Sequence, residues 1–343
     1  MRAIDFRIDV LRSGIPYTQL RYSEPPSVFC DSSADICMSF KGTFLRSDAV
    51  NYITDELRPV VILDGTEYPV GVYVITTRRE SCGASGVMRD EIEAYDRTIR
   101  LSWAKLEARD YWEAGSSYDE IISHYLIAAG ITRASSVPSG QVLQSPREDW
   151  DIGTSYLTIV NTLLEEINYD PIWFDATGVA HIEPYAVPSV AKIDHTYRQG
   201  DVTSLLAPDV EREVDLYDKP NVFIAVLTNP EYPEPLTCTA VNDTPASKLS
   251  TISRGIRIPR VYKVSNIASA TELQAYVDRL RDDSMISSES VSITTAIHPG
   301  HGVGDTVALV HDASSGIYRE LSWSFTLQAG AQMRHEMQRT VMI

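Results

Sequence analysis

The chain has 343 residues and carries 30 Lys and Arg against 47 Asp and Glu, a formal charge of −17. That length can bury more than one core. The acidity argues against wrapping DNA or coating an anionic membrane, while leaving open a channel past which DNA slides without sticking. MRAIDFRIDV at the start lacks the apolar stretch of a secretory signal, and no apolar run approaches the ~18 residues of a membrane helix, so no membrane insertion by this chain is expected. Cys30, Cys37, Cys82 and Cys238 show no CxxC spacing and read as thiols of a protein folded in a reducing cytosol. A Cys30–Cys37 disulfide and a shared zinc site are weaker alternatives.

In chain order, Ile4, Phe6, Ile8 and Val10 alternate with Asp5, Arg7 and Asp9, which predicts a first strand. SEPPS at 23–27 predicts a loop, because two prolines remove two ladder donors. Residues 34–45 read as a strand, with Ile36, Met38 and Phe40 on one side. Asp64-Gly65 between two β-rich runs (58–76) predicts a hairpin. ESCGASG at 80–86 reads as a flexible loop before a strand at 87–95. Residues 1–104 are therefore expected to form a β domain, a small barrel or sandwich.

Composition then changes. Ser117 and Glu120 form a capping box ahead of Ile121, Ile122, Tyr125, Leu126 and Ala129, and Gly130 suits the position after the helix. A polar loop is expected from 132 to 149. Tyr156, Leu157, Val160, Leu163, Leu164 and Ile167 keep unbroken helical spacing, with Thr154 or Ser155 as cap. IWF and VAHIE then flank a DATG turn. Residues 105–200 thus read as a small α+β domain. Beyond 201 the chain returns to β: NVFIAVL at 221–227 predicts a strand buried on both faces, and TNPEYPEPLT after it a loop that cannot pair. Ser269 and Glu272 form a second capping box, opening a helical segment at about 266–288.

The closing stretch, 291–327, sets strands against a polar group of residues. Runs at 291–297 and 306–310 are short and β-branched. Leu321, Trp323, Phe325 and Leu327 alternate with Ser322, Ser324 and Thr326. Asp312-Ala-Ser-Ser-Gly316 predicts a hairpin turn, and Pro299, Gly300, Gly302 and Gly304 a loop that interrupts the ladder. His298, His301, Asp305, His311 and Asp312 fall in these turns. Imidazole and carboxylate suit zinc or iron, but no helix or strand sets their direction and no HExxH is present. They are therefore expected to be solvated turn residues. Trp323→Asp should cost far more than His301→Ala.

There is no GxSxG, P-loop, GxGxxG or kinase motif. Glu165-Glu166 and Asp282-Asp283 read as solvated helix faces. The five tryptophans are dispersed, as core or interface residues are. No catalytic, cofactor-binding or metal residue is assigned. The sequence favours a structural or assembly protein, with a cell-wall or metal-dependent hydrolase using the His298–His311 loop as the alternative.

The order of elements carries a resemblance. RPVVILDGTEYPVGVYVIT, EAYDRTIRL, AGSSYDEIISHYLIAAGI, SYLTIVNTLLEEINYDPIWFDATGVAHIEPY, KPNVFIAV, HPGHGVGDTVALV and GIYRELSWSFTL follow one another in the order and spacing of a hub protein. The chain resembles the hubs of phage tails and contractile injection systems, and the N-terminal hub part of long-tailed phage tail-tip proteins. The resemblance implies a non-enzymatic virion tail protein of mainly β, α+β class. Two antiparallel β-barrel tube-type domains, 1–104 and 201–343, would flank a peripheral α+β domain at 105–200. It implies a homotrimer whose six barrels adapt the sixfold tail tube to a threefold tip or spike. Partners would be tail tube or distal tail proteins, a central spike or tip protein and a tape measure protein, with DNA passing through the lumen without specific binding. Assembly would take place in the host cytoplasm. No cofactor is implied. Since the chain stops at Ile343, spike, fibre or wall-degrading activity is expected on another chain.

Overall fold

A computed structural model describes residues 3–83, 86–147, 150–186, 192–202, 204–214, 219–227, 236–264, 267, 269–286 and 289–339. The N-terminal part consists of β1 (Ile4–Arg12), β2 (Ile15–Gln19), β3 (Tyr22–Asp31), β4 (Met38–Leu45), β5 (Glu56–Leu63), β6 (Thr66–Pro69), β7 (Tyr73–Cys82) and β8 (Met88–Asp96). Then come α1 (Thr98–Trp103), α2 (Tyr118–Ala128), β9 (Ala134–Ser136), α3 (Tyr156–Glu166), β10 (Trp173–Phe174) and β11 (Ala180–Ile182). The remainder comprises β12 (His195–Arg198), β13 (Leu206–Val214), β14 (Val222–Leu227), β15 (Leu236–Val241), α4 (Thr251–Arg254), β16 (Pro259–Val264), α5 (Ala270–Ile286), β17 (Glu289–Ala296), β18 (Thr306–Val310), β19 (Ser315–Thr326) and β20 (Gln332–Arg339). With 46% strand and 15% helix the protein is mainly β, as expected.

One sheet runs through both ends of the chain, in the order β13-β17-β20-β19-β3-β4-β8-β7-β5-β1-β2. The junction is β19 on β3, antiparallel, with Ser322 to Thr326 opposite Asp31 to Ser27. Among the described residues the path is open, because β13 and β2 are its two ends, so closed barrels are not seen. β12 branches off parallel to β18. The core beneath the junction is shared: Val28, Phe40 and Tyr73 from the first half pack with Trp323, Phe325 and Met333 from the last.

The α+β part has its own core, in which α2 and α3 pack Ile121, Tyr125, Leu163 and Leu164. Arg97 ties it to the sheet, bonding Glu56 at 2.6 Å and the Gly178 carbonyl at 2.7 Å. β14 lies between β15 and β16, and α5 covers that small sheet with Leu273 and Val277, which explains the apolar run at 221–227.

Several expectations hold at the level of single residues. Asp64 and Gly65 both take positive φ, the geometry of a tight hairpin turn between β5 and β6. Ser155 caps α3, accepting from the Thr158 amide, and Ser269 accepts from the Glu272 amide at the start of α5.

Others change. β3 continues through Pro25 and Pro26, with register shifts on either side of Glu24. The prolines are tolerated because β19 covers only Ser27–Asp31, so their missing amides face no second strand. The strand expected from 34 begins only at Met38, and Ile36 instead packs against the α+β core. Glu80–Cys82 extend β7 rather than loosening into a loop. Ser117 makes no side-chain cap bond. The polar stretch 132–149 contains β9, parallel to β11. Glu166 is buried, bonded to Arg147 at 2.6 Å and to the Tyr118 hydroxyl at 2.9 Å, while Asp282 is buried beside Arg281. Residues 228–235 of the proline-rich loop lie outside the described residues.

Candidate functional site

The polar residues of the closing stretch do not share one environment. Residues 298–305 link β17 to β18, and Gly304 takes φ +70 there, a conformation that suits glycine. His298 is exposed on this loop, but His301 is buried inside it. His311 is buried too, in the turn at the far end of β18, with Nδ1 accepting from the Ala313 amide. Its Nε2 has no hydrogen-bond partner among the described residues. Asp312 beside it is exposed. The structure thus joins His298, His301 and Asp305 and leaves His311 and Asp312 apart. Solvated turns are confirmed only for His298 and Asp312. Burial of the His301 and His311 rings against packed strands overturns that reading for both.

What surrounds His301 comes from distant parts of the chain. His195 of β12 stacks on it, with ring centroids 3.8 Å apart. The Tyr197 hydroxyl lies 2.7 Å from its Nε2, and Glu320 of β19 lies 2.6 Å from its Nδ1. The other Glu320 oxygen is 2.5 Å from Nδ1 of His335 on β20, and His335 Nε2 is 2.8 Å from the Thr295 hydroxyl of β17. The side chains of His301 and Glu320 are each 1% exposed and that of His335 is fully buried. Among the described residues, the side-chain partners of Glu320 are these two rings, with no lysine or arginine.

Glu320 reaches this position through a β-bulge. The register between β19 and β20 shifts between Glu320 and Ser322, so Tyr318 and Glu320 point inward before the bulge and Trp323 and Phe325 after it. Leu321 is only half-buried, out of phase with Trp323 and Phe325, which corrects the single alternating face expected at 321–327. β20 adds a strand beyond that expected end, and its Met333, His335 and Met337 alternate into the core. The M-x-H-x-M pattern was the available signal for His335. Nothing in the sequence marked His195, Tyr197, Thr295 or Glu320.

Electrostatics follow the burial. Loss of solvation pushes the His301 pKa below its usual value, against the pull of Glu320. Burial opposes ionisation of Glu320, but hydrogen bonds from His301 and His335 outweigh it and hold the carboxyl below the usual range. His195 is the reverse case: burial disfavours its charge, yet Asp305 at 3.0 Å raises its pKa. Asp305 also accepts from the Gly302 amide at 2.7 Å, and Trp323 donates its indole N–H to the Gly302 carbonyl at 2.8 Å.

A cavity of about 220 Å³ adjoins the cluster, lined by Met38, Val70, Phe174, His298, His301 and Trp323 among others. It lies where the first β strands, the β10–β11 hairpin and the last strands meet. The ligand atoms of His301, Glu320 and His335 fall within 4.8 Å of one another, as do those of His195, His298 and His301. The sealed side chains of His301, Glu320 and His335 cannot themselves meet a polymeric substrate, while His298 of the same loop is exposed at the cavity.

No protein-family model and no curated protein sequence matches the chain. Solved structures do. A tail protein from Neisseria meningitidis superposes with a TM-score of 0.70 at 12% identity, covering 98% of this chain and 97% of that one. The chain has the fold of a phage tail protein. The 43 kDa tail protein of prophage MuSo2 from Shewanella oneidensis gives a TM-score of 0.67 at 11% identity, covering 98% of both chains. An E. coli component of the type VI secretion system, itself described as structurally similar to the T4 tail proteins gp27 and gp5, gives 0.51 at 9% identity over 99% of this chain and 75% of that one. A fold shared with tail proteins does not favour the hydrolase alternative.

Proposed function

We propose that this chain is the structural hub of a phage tail tip or baseplate, three copies of which form a ring between a sixfold tail tube and a threefold tip or spike. The observation that carries the reading is the likeness to a tail protein over the whole length of both chains. The likeness to a type VI secretion component supports it. In this reading residues 1–104 and 201–343 supply two tube-type barrels and 105–200 a peripheral domain. The β3–β19 ladder, which sets residues 27–31 beside 322–326, supports such a pair within one subunit. Three subunits would then present six similar units to the tube.

The partners are a tail tube or distal tail protein, a spike or tip protein and a tape measure protein, in a virion tail assembled in the host cytoplasm. A surface of formal charge −17 suits a lumen that passes DNA without holding it. The test is the mass of the purified protein, alone and mixed with its tube or tip partner, together with images of the particle end. A trimer in either preparation and a threefold density beneath a sixfold tube are the expected results. A protein that stays monomeric and binds neither partner sinks the reading.

A further inference from the structure

We propose that His301, Glu320 and His335 form a binding site for one divalent transition-metal ion of the zinc class. The donor set is chemically right: two imidazoles and one carboxylate suit zinc and its neighbours. The two rings are turned alike, each with Nδ1 towards Glu320 and Nε2 towards a hydroxyl, Tyr197 for His301 and Thr295 for His335. Metal-ligating imidazoles are oriented in this way, with the second ring nitrogen held by a hydrogen bond.

Proton bookkeeping at His335 sharpens the argument. The Thr295 hydroxyl has one hydrogen and two acceptors within reach, the Ala296 carbonyl at 2.9 Å and His335 Nε2 at 2.8 Å. When the carbonyl takes that hydrogen, the hydroxyl oxygen accepts from His335 Nε2–H. In that tautomer a neutral His335 presents its Nδ1 lone pair to a Glu320 lone pair across 2.5 Å. Two acceptors at that separation repel unless a cation lies between them. The other tautomer, an added proton or a metal ion meets the need, and no lysine or arginine side chain bonds Glu320 among the described residues.

Independent support comes from the bulge between Glu320 and Ser322. Bulges re-aim side chains, and this one puts a carboxylate on the same inward face as His335, next to Tyr318 and Met337. The contacts of 2.5 and 2.6 Å are proton-bridged spacings. Two zinc bonds of about 2.0–2.1 Å at a tetrahedral angle span roughly 3.3 Å, so loading would open each contact by under ~1 Å. The ion would pin the 298–305 loop to β19 and β20, a structural role.

The experiment starts from full-length protein stripped with a chelator and titrated with Zn²⁺ alone by calorimetry. X-ray absorption at the zinc edge then reports the ligands of the loaded wild type. One ion per chain is expected, with two imidazoles, oxygen and no sulfur in its shell. Glu320→Gln and His335→Gln should weaken binding by about 100-fold or more, since even outer-shell changes cost 10–100-fold. His298→Ala, on the exposed ring, should leave binding unchanged. Folded wild type that takes up no stoichiometric zinc overturns the proposal and leaves a proton in that place. A sulfur ligand, or loss of binding in His298→Ala with Glu320→Gln unaffected, overturns it as well. The absorption spectrum needs no variant, so misfolding of a variant leaves the test intact.

Discussion

Cys30 and Trp323 face each other across the β3–β19 ladder, and the Trp323 indole reaches on to the Gly302 carbonyl at 2.8 Å. One residue pair thus joins the first strands, the last strands and the histidine loop. Trp323→Ala should cost about 3–5 kcal/mol, the range for a large buried aromatic. Trp103→Ala, at a position 54% exposed, should stay within about 0.5 kcal/mol. Urea denaturation of both variants checks this, and equal losses would contradict the shared core.

His301→Ala should be costly as well, contrary to what its place in a Gly-rich loop implies. It removes one of two rings that bond the buried Glu320 carboxylate. An unsatisfied buried acceptor costs about 1–3 kcal/mol, more if charged. His298→Ala removes an exposed ring that meets His195 and His301 edge-on, with centroids 5.1 and 5.6 Å away, and should cost less than His301→Ala. Denaturation midpoints at neutral pH separate the two.

Leu321 and Phe325 look equivalent in the alternating sequence, but Leu321 is the unpaired residue of the bulge and Phe325 lies beyond it. Phe325→Ala should cost about 3–5 kcal/mol. Leu321→Gln should cost less than about 1 kcal/mol, as for a side chain outside the packed face. Comparable losses in equilibrium unfolding would show that the bulge is absent.

Glu289 gives a pH signature. Its side chain is 2% exposed and bonds Arg212 at 2.8 Å, Lys248 at 3.2 Å and Arg339 at 3.2 Å. Burial opposes its ionisation, but the three cations win and hold its pKa below the ordinary 4.5. A carboxyl depressed on folding contributes stability above its unfolded pKa and loses it as the pH falls through the lower folded value. The melting-temperature advantage of wild type over Glu289→Gln should therefore be full at pH 7 and shrink below about pH 4.5. A gap that stays constant from pH 7 to pH 3 would contradict this assignment.

Local patterns in the sequence determined what local physics governs. Alternation in 4–10 gave β1, Asp64-Gly65 gave a hairpin, and the spacing from Tyr156 to Ile167 with Ser155 ahead of it gave a capped helix. Each depends on neighbours a few residues apart, and the order of these elements carried the resemblance to tail hubs. The tertiary structure alone decided that β3 accepts β19, since a strand edge does not name its partner in sequence. It also decided the buried cluster. Period 2 identifies an inward face, yet a bulge of one residue reverses the phase, so Leu321 read as core and nothing marked Glu320. His195, Thr295, His301, Glu320 and His335 meet because β12, β17, β19, β20 and one loop converge. The physical reason is that burial and pairing belong to the whole packed sheet, while propensity and spacing belong to the segment.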